Sequence, residues 1–227
     1  MELDRYSEST TSFFTLDACN GEIAEKIIST LSKSDDLLND EWSRLVAEND
    51  EINNRIRSQG IDNPGSRTSI SWDDAMILFT CSIEVNSQQR PIPLGEPLSK
   101  ERFGRFPWGS GSAIVYLIDF LRPNTGNSDG SEDYESLIKL LNKLNSYCID
   151  GPFGDEKYRS GKGGLCICGF LDKSEVYQLR KYLTGRIWSV SADEPLDGGV
   201  RDAIKHLVSI LKSAERRGVG TMLRAHS

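Results

Sequence analysis

Apolar residues recur at intervals of three and four along most of the chain, and this spacing predicts amphipathic helices. Clear stripes run over residues 23–31, 134–148 and 200–214, and residues 75–79 are apolar nearly all round, which favours a central helix. The pattern therefore predicts a mainly α protein, with about seven helices in one globular, bundle-like domain. At most, a short β-ribbon is expected near residues 165–190, between an extended run at its start and a second one at its end.

Side chains that bind free backbone groups mark several helix ends. Asn20 is expected to cap the first helix, and Ser71 the helix through residues 75–79. The run Asp172-Lys173-Ser174-Glu175 is a capping box, in which the two acidic side chains bind each other's backbone N–H groups. Gly218 follows a stripe that ends in Arg216-Arg217, so a last helix is expected over about 199–217.

Four segments lack a helical pattern. Residues 1–15 are polar and are expected to be loose, and residues 86–110 hold four prolines, which predicts a long ordered loop. Residues 122–131 are expected to form an exposed linker, and residues 151–164 a glycine-rich loop.

The charge of the chain is concentrated at its start. The 227 residues carry a net charge of -7, and residues 1–60 alone hold 6 basic and 13 acidic side chains, so the remainder is neutral. We therefore divide the chain into an acidic helical subregion, 1–60, and a main helical domain, 61–227, within one continuous fold. An acidic balance argues against nucleic acid, which needs a basic surface. It suits a basic protein partner, although a well-solvated helical surface, which is the interpretation we favour for the charge by itself, also explains it.

Neither a membrane span nor a secretory leader is expected. The longest apolar run covers only residues 113–118, whereas a span needs about 20 apolar residues. The first residues are acidic, unlike a signal peptide. The five cysteines follow no framework spacing, which favours reduced thiols. These features predict a soluble, cytoplasmic protein that does not bind membranes.

The segment 98–108 alternates arginine with aromatic residues: Arg102, Phe103, Arg105, Phe106 and Trp108. Arginine and aromatic side chains together are typical of binding hot spots. The simpler interpretation, which we favour, is that the aromatic residues anchor the loop to the core. If any segment acts in binding, this is the first candidate.

The glycine-rich loop resembles a phosphate-binding loop only superficially. Six residues separate Gly154 from Gly161-Lys162, and glycine follows where a serine or threonine is required. A looser backbone site for an anion remains, with Arg159 and Lys162 beside it. A turn without a ligand is the favoured interpretation.

No catalytic residue, metal site or cofactor follows from the sequence. Cys166 and Cys168 would point the same way on a strand, but structural zinc needs further ligands, and His206 and His226 do not stand at ligand spacing. His206 lies near an apolar helix stripe, which favours packing. His226 is the penultimate residue, where disorder is the usual expectation.

Two functional hypotheses remain. The first is a non-catalytic partner-binding protein, such as a regulator or an inhibitor or immunity-type protein of a basic partner. The second is an enzyme or small-ligand or anion-binding protein that uses loops 98–108 and 151–164 as pocket walls. The first is preferred, because the acidic segment supplies a specific reason for it.

Overall fold

The computed structural model describes residues 13–31, 36–83, 87, 92, 94, 104, 106–124, 130–149, 161 and 163–226. Within these residues, 56% are helical and 17% are extended, in eight α-helices and five strands. The elements, in chain order, are β1 Phe13–Cys19, α1 Gly21–Leu31, α2 Asp36–Ala47, α3 Asp50–Ser58, α4 Asp74–Cys81, α5 Ala113–Phe120, β2 Leu121–Pro123, α6 Gly130–Ile149, β3 Cys166–Leu171, α7 Lys173–Thr184, β4 Trp188–Val190, α8 Gly199–Arg217 and β5 Gly220–His226.

Helices predominate, as predicted, but they do not form a bundle. They lie on the two sides of an antiparallel three-stranded sheet of order β1-β5-β3. Along β5, Met222 joins the core beneath α1–α4, and the next residue, Leu223, joins the core beneath α5–α8. Successive side chains of a strand point to opposite faces, so the two helical groups form separate layers. No helix in the described part of the chain is long and apolar enough to cross a membrane.

The sheet joins the two ends of the chain. β1 pairs with β5 from Phe13↔His226 to Cys19↔Gly220, and β3 pairs with the other edge of β5. The expectation of a loose segment through residue 15 was wrong from residue 13 onward. Ser and Thr crowd the stretch before β1, and the polar residues Thr15 and Asp17 masked its strand pattern, although both are buried.

The predicted β-ribbon was wrong in its pairing. β3 pairs with β5, while β4 pairs with β2 in a separate two-stranded sheet. β2 also replaces the start of the exposed linker expected over 122–131. Strand partners distant in sequence carry no local signal, whereas the helical stripes do.

Most helix ends follow the predicted signals. Asn20 accepts the N–H of Ile23 at 3.2 Å, the capping box of Asp172 and Glu175 is complete, and Gly218 ends α8 in the left-handed conformation at φ 66°. At α4 the prediction was wrong by two residues. Asp73, rather than Ser71, accepts the N–H of Met76, at 2.7 Å, because Asp73 is the last extended residue before the helix.

A β-bulge in β3 brings the sheet against α6. The register of β3 shifts between Ile167 and Gly169, so that Cys168 and Gly169 both face α6. A Cβ atom on Gly169 would lie only 2.1 Å from the carbonyl oxygen of Lys143, which is backbone of α6. Glycine at position 169 is therefore a condition of this packing.

The layer α1–α4 has a core of its own. Trp42 and Trp72 are fully buried and meet edge to face, with ring centroids 5.0 Å apart. The buried Arg67 donates from Nε to Oδ1 of Asn39 at 3.0 Å, and also to the backbone of α1 at Thr30. The acidic helices are thus fixed to the rest of the molecule.

Candidate functional site

The arginine-aromatic loop is attached to α5 through its aromatic residues. The ring of Phe106 lies 4.6 Å from that of Tyr116, and the ring of Trp108 lies 5.7 Å from Tyr116 and 5.2 Å from Phe120. Phe106 and Trp108 are half-buried against the core. This arrangement supports the anchoring interpretation for these two residues. Arg102, Phe103, Arg105, Arg159 and Lys162, the other predicted site residues, lie outside the described residues.

The outer edge of β1 is bound by three described residues of the chain between α4 and α5, namely Ile83, Leu94 and Gly104. The N–H of Ile83 donates to Ala18 at 3.3 Å, and the N–H of Leu94 donates to Leu16 at 2.7 Å. At the far end, the N–H of Phe14 donates to the carbonyl of Gly104 at 3.2 Å. These three residues satisfy backbone groups at the edge of β1, and Gly104 lies beside the strand's first residues.

The glycine-rich loop ends beside β3. The carbonyl of Gly161 accepts the N–H of Asp74 at 3.2 Å, and Asp74 accepts the N–H of Ile167 at 2.9 Å. A Cβ atom on Gly163, which has φ 60°, would meet the carboxylate of Asp73 at 2.4 Å. The N-terminus of α4 thus holds the end of this loop against the start of β3.

Both loops border the same end of the sheet. Phe14, next to Gly104, and Cys166, at the start of β3, flank the same residue of β5, Ala225. They are separated by two strand spacings, about 10 Å. This placement is compatible with a shared pocket, although the residues that would line it lie outside the described part of the chain.

A row of polar side chains occupies one sheet face at this end. Arg224 donates from Nε to Oγ1 of Thr15 at 2.8 Å and lies 2.7 Å from Oδ2 of Asp17. Oγ1 of Thr15 also lies 3.2 Å from Oδ2 of Asp17 and 3.0 Å from Nε2 of His226. The threonine hydroxyl has one proton. If it donates to Asp17, Nε2 of His226 carries a proton and donates to Thr15.

The carboxylate of this row is fully buried. Burial raises the pKa of Asp17 above its ordinary value, while the charge and the hydrogen bond of Arg224 oppose that change. A buried ion pair needs both partners, because either one alone leaves an uncompensated charge. The row therefore fixes the register of β1 on β5. It also places His226 at the end of the sheet that the two loops border.

The sequence pattern did not predict this row. His226 was assigned to a disordered terminus, and Asp17 to no element at all. The available signal was the alternation Phe14, Leu16, Ala18, which places three apolar residues on one face of a strand. No local signal connects that strand to its partner about two hundred residues later.

The acidic helices present unpaired carboxylates on the surface. Asp40 and Glu41 on α2, and Glu48 and Asp50 at the α2–α3 junction, are exposed. None of the four takes part in an ion pair within the described part of the chain. Glu51 differs, since it binds Arg55 one helical turn later at 2.7 Å.

The four cysteines whose side chains the structure describes divide into two pairs. Cys19 and Cys81 are fully buried near the end of β1, and burial raises the pKa of both thiols, that of Cys81 to about 12. Cys166 and Cys168 both pack against the α5–α8 core, so they share a face as expected. Across the described residues, no three His, Cys, Asp or Glu side chains are grouped so as to hold a metal ion.

A scan against protein-family models finds no match, and searches of curated proteins and of solved structures find none either.

Proposed function

We propose that this is a non-catalytic partner-binding protein whose acidic helices α1–α3 hold a basic protein, as a regulator or an inhibitor or immunity-type protein does. The observation that carries the proposal is the group of exposed carboxylates of Asp40, Glu41, Glu48 and Asp50, none of which forms an ion pair with a described residue. Complementary charge at an interface accelerates association and selects the partner.

Helix stability explains only part of this group. Asp50 lies in the first turn of α3, where the helix dipole favours a negative charge. Glu48 follows the last residue of α2, where the dipole disfavours one. Asp40 and Glu41 are adjacent in the middle of α2, and neither forms an ion pair with the part of the chain that the structure describes. Three of the four carboxylates therefore lie outside the turn in which the dipole of their helix favours a negative charge, which supports a role towards a partner.

The rigid attachment of α2 to the core is the second support for the proposal. The buried pair Trp42–Trp72 and the contacts of Arg67 tie α2 to the core. A preorganised surface loses little conformational entropy when it binds.

The test is an affinity pull-down with the full chain from extract of the source cell, at low and moderate salt. The test variant combines Asp40→Asn, Glu41→Gln and Glu48→Gln. The matched control combines Glu132→Gln, Asp133→Asn and Glu135→Gln, which removes the same charge from exposed positions on α6.

We expect one basic protein that is recovered with the wild type and the control, and lost as salt rises. Three rim contacts of about 0.5 kcal/mol each amount to roughly a tenfold loss of affinity in the test variant. A partner that both triple variants retain equally, or lose equally, would contradict the proposed surface.

A small-ligand or anion site is the second candidate function. It is favoured by the position of the two predicted loops at one sheet end, next to the half-buried His226. Inorganic phosphate serves as the probe. We expect phosphate to raise the melting temperature of the wild type but not that of an Arg105→Gln, Lys162→Gln variant. An equal rise in both proteins would place the bound phosphate elsewhere.

A further inference from the structure

The exposed side of α8 carries a straight line of four cations. Arg201, Lys205, Lys212 and Arg216 are all exposed, and only Ser209 interrupts them at the surface. At 100° per residue, these four positions fall within a sector of about 60°. At 1.5 Å per residue, the line is about 22 Å long.

The stability of α8 does not account for this line. Arg201 and Lys205 are one turn apart, as are Lys212 and Arg216, and like charges at this spacing weaken a helix. None of the four forms an ion pair with any described residue. Of their acidic neighbours on α8, Glu215 is already bound by Arg180 of α7 through two nitrogens, and Asp202, three residues before Lys205, forms no ion pair with a described residue. Only Arg216, in the last turn, benefits from the helix dipole.

The neighbouring helix extends the same surface. α7 packs along α8 and exposes Lys173, Tyr177 and Lys181 at successive turns. Tyr177 is 49% exposed, and its ring lies 5.4 Å from the guanidinium of Arg180. An exposed tyrosine among cations is typical of a protein-binding surface, because it offers contact area at low entropic cost.

We propose that the α7–α8 face is a second docking surface, which binds an acidic helix of a partner protein along the α8 line. A helix with carboxylates at positions i, i+4, i+11 and i+15 reproduces the spacing of the four cations. The surface lies on the opposite side of the sheet from the acidic helices, so this proposal does not depend on the partner proposed for α1–α3.

Two other occupants fit the charges less well. A nucleic acid favours a basic balance over the whole domain, whereas this surface belongs to a chain with pI 5.0 and a net charge of -7. A second copy would place its acidic helices here, but the two charged faces lie on opposite sides of the sheet. Such head-to-tail contacts between opposite faces would propagate into open chains, against the net charge of each copy.

The test measures binding of the full chain to a labelled helical peptide by fluorescence anisotropy. The peptide carries glutamates at the matched spacing in an alanine-glutamine background. A second peptide of identical composition distributes the same glutamates around the helix. The test variant combines Lys205→Gln and Lys212→Gln, and the control combines Lys26→Gln and Lys139→Gln, two exposed lysines on other helices. Circular dichroism establishes that both variants are folded.

We expect the matched peptide to bind more tightly than the rearranged one, with an affinity that falls as salt rises. The α8 variant should bind it about fivefold more weakly, and the control variant within a factor of about two. The proposal is overturned by equal binding of both peptides, by an unaffected α8 variant, or by no binding at low salt.

Two parallel measurements identify the competing occupants. Binding of a duplex DNA oligonucleotide that exceeds binding of the matched peptide, and that is lost in the α8 variant, would assign the surface to nucleic acid. Salt-sensitive self-association in sedimentation velocity, lost in the same variant, would assign it to a second copy. Either result overturns the proposal, while neither affects the pull-down on the acidic helices.

Discussion

The guanidinium of Arg224 lies 2.7 Å from the carboxylate of Asp17, across a diagonal of the β1–β5 pair and 207 residues away in the chain. Asp17 is fully buried, and Arg224 is nearly so, with 13% of its side chain exposed. The ion pair therefore joins the first and last described strands on a face where the carboxylate of Asp17 is shielded from water. It also holds the strand that carries His226.

Loss of either charge of this pair should destabilise the fold. Arg224→Gln leaves Asp17 buried without a cation, and we expect a loss of about 3 kcal/mol in the free energy of unfolding, measured by urea denaturation. Asp17→Asn should cost a similar amount, and the double variant less than the sum. As a control, Arg122→Gln removes an exposed guanidinium that binds backbone carbonyls, and should change stability by under about 0.5 kcal/mol. Additive losses in the double variant would show that the pair is not coupled.

The cost of Arg224→Gln should depend on pH. Burial already raises the pKa of Asp17 in the folded state, and loss of the arginine raises it further. A carboxyl group with a raised folded-state pKa favours folding below its unfolded pKa, and this contribution is lost as pH rises through the folded pKa. The deficit of the variant relative to wild type should therefore be larger at about pH 7 than at about pH 4. A deficit of the same size at both would exclude Asp17 as its source.

Gly169→Ala should disrupt the contact between β3 and α6. The added methyl group would overlap the backbone of α6 at Lys143, which cannot move aside as a side chain can. We expect a loss of about 3 kcal/mol, measured by thermal or urea unfolding. Gly185→Ala is the matched control, since its methyl group would meet nothing closer than 3.4 Å. Equal stabilities of the two variants would show that α6 can shift to accept the methyl group.

The cap of α7 makes a separate, pH-dependent contribution. Burial alone would raise the pKa of Asp172, but hydrogen bonds from the backbone of Glu175 and from Ser174 outweigh it and hold the pKa below its ordinary value. A depressed folded-state pKa stabilises the fold above the unfolded pKa, and this stability is lost as pH falls through the folded pKa. Asp172→Ala should therefore cost about 1 kcal/mol at neutral pH and progressively less in acid. Denaturant titrations at several pH values measure this loss of stability. A loss of the same size at every pH would show that the side chain of Asp172 does not titrate in this range.

The buried thiols should resist alkylation. Cys19 and Cys81 have raised pKa values because of burial, so little thiolate exists at about pH 8. We expect iodoacetamide to modify both only slowly in the native protein and rapidly after addition of urea, as followed by peptide mass spectrometry. Modification of either residue in native protein at the rate of an exposed cysteine would contradict its placement in the core.

The sequence determined the local elements of this protein. Apolar spacing identified the long helices α6 and α8, and the Asp172–Glu175 box and Gly218 marked helix ends that the structure retains. These signals are readable because a helix satisfies its backbone through residues three or four positions away. The four cations of α8 follow the same spacing, but the net charge of zero over residues 61–227 gave no indication of them.

The tertiary structure decided the sheet and everything placed around it. The roles of Asp17 and His226 follow only from the pairing of β1 with β5. The role of Gly169 follows only from the packing of α6 across the bulge. The sheet also placed the acidic helices and the basic line of α8 on opposite sides of the molecule. Strand pairing depends on contacts between distant residues, for which neither periodicity nor capping supplies a signal.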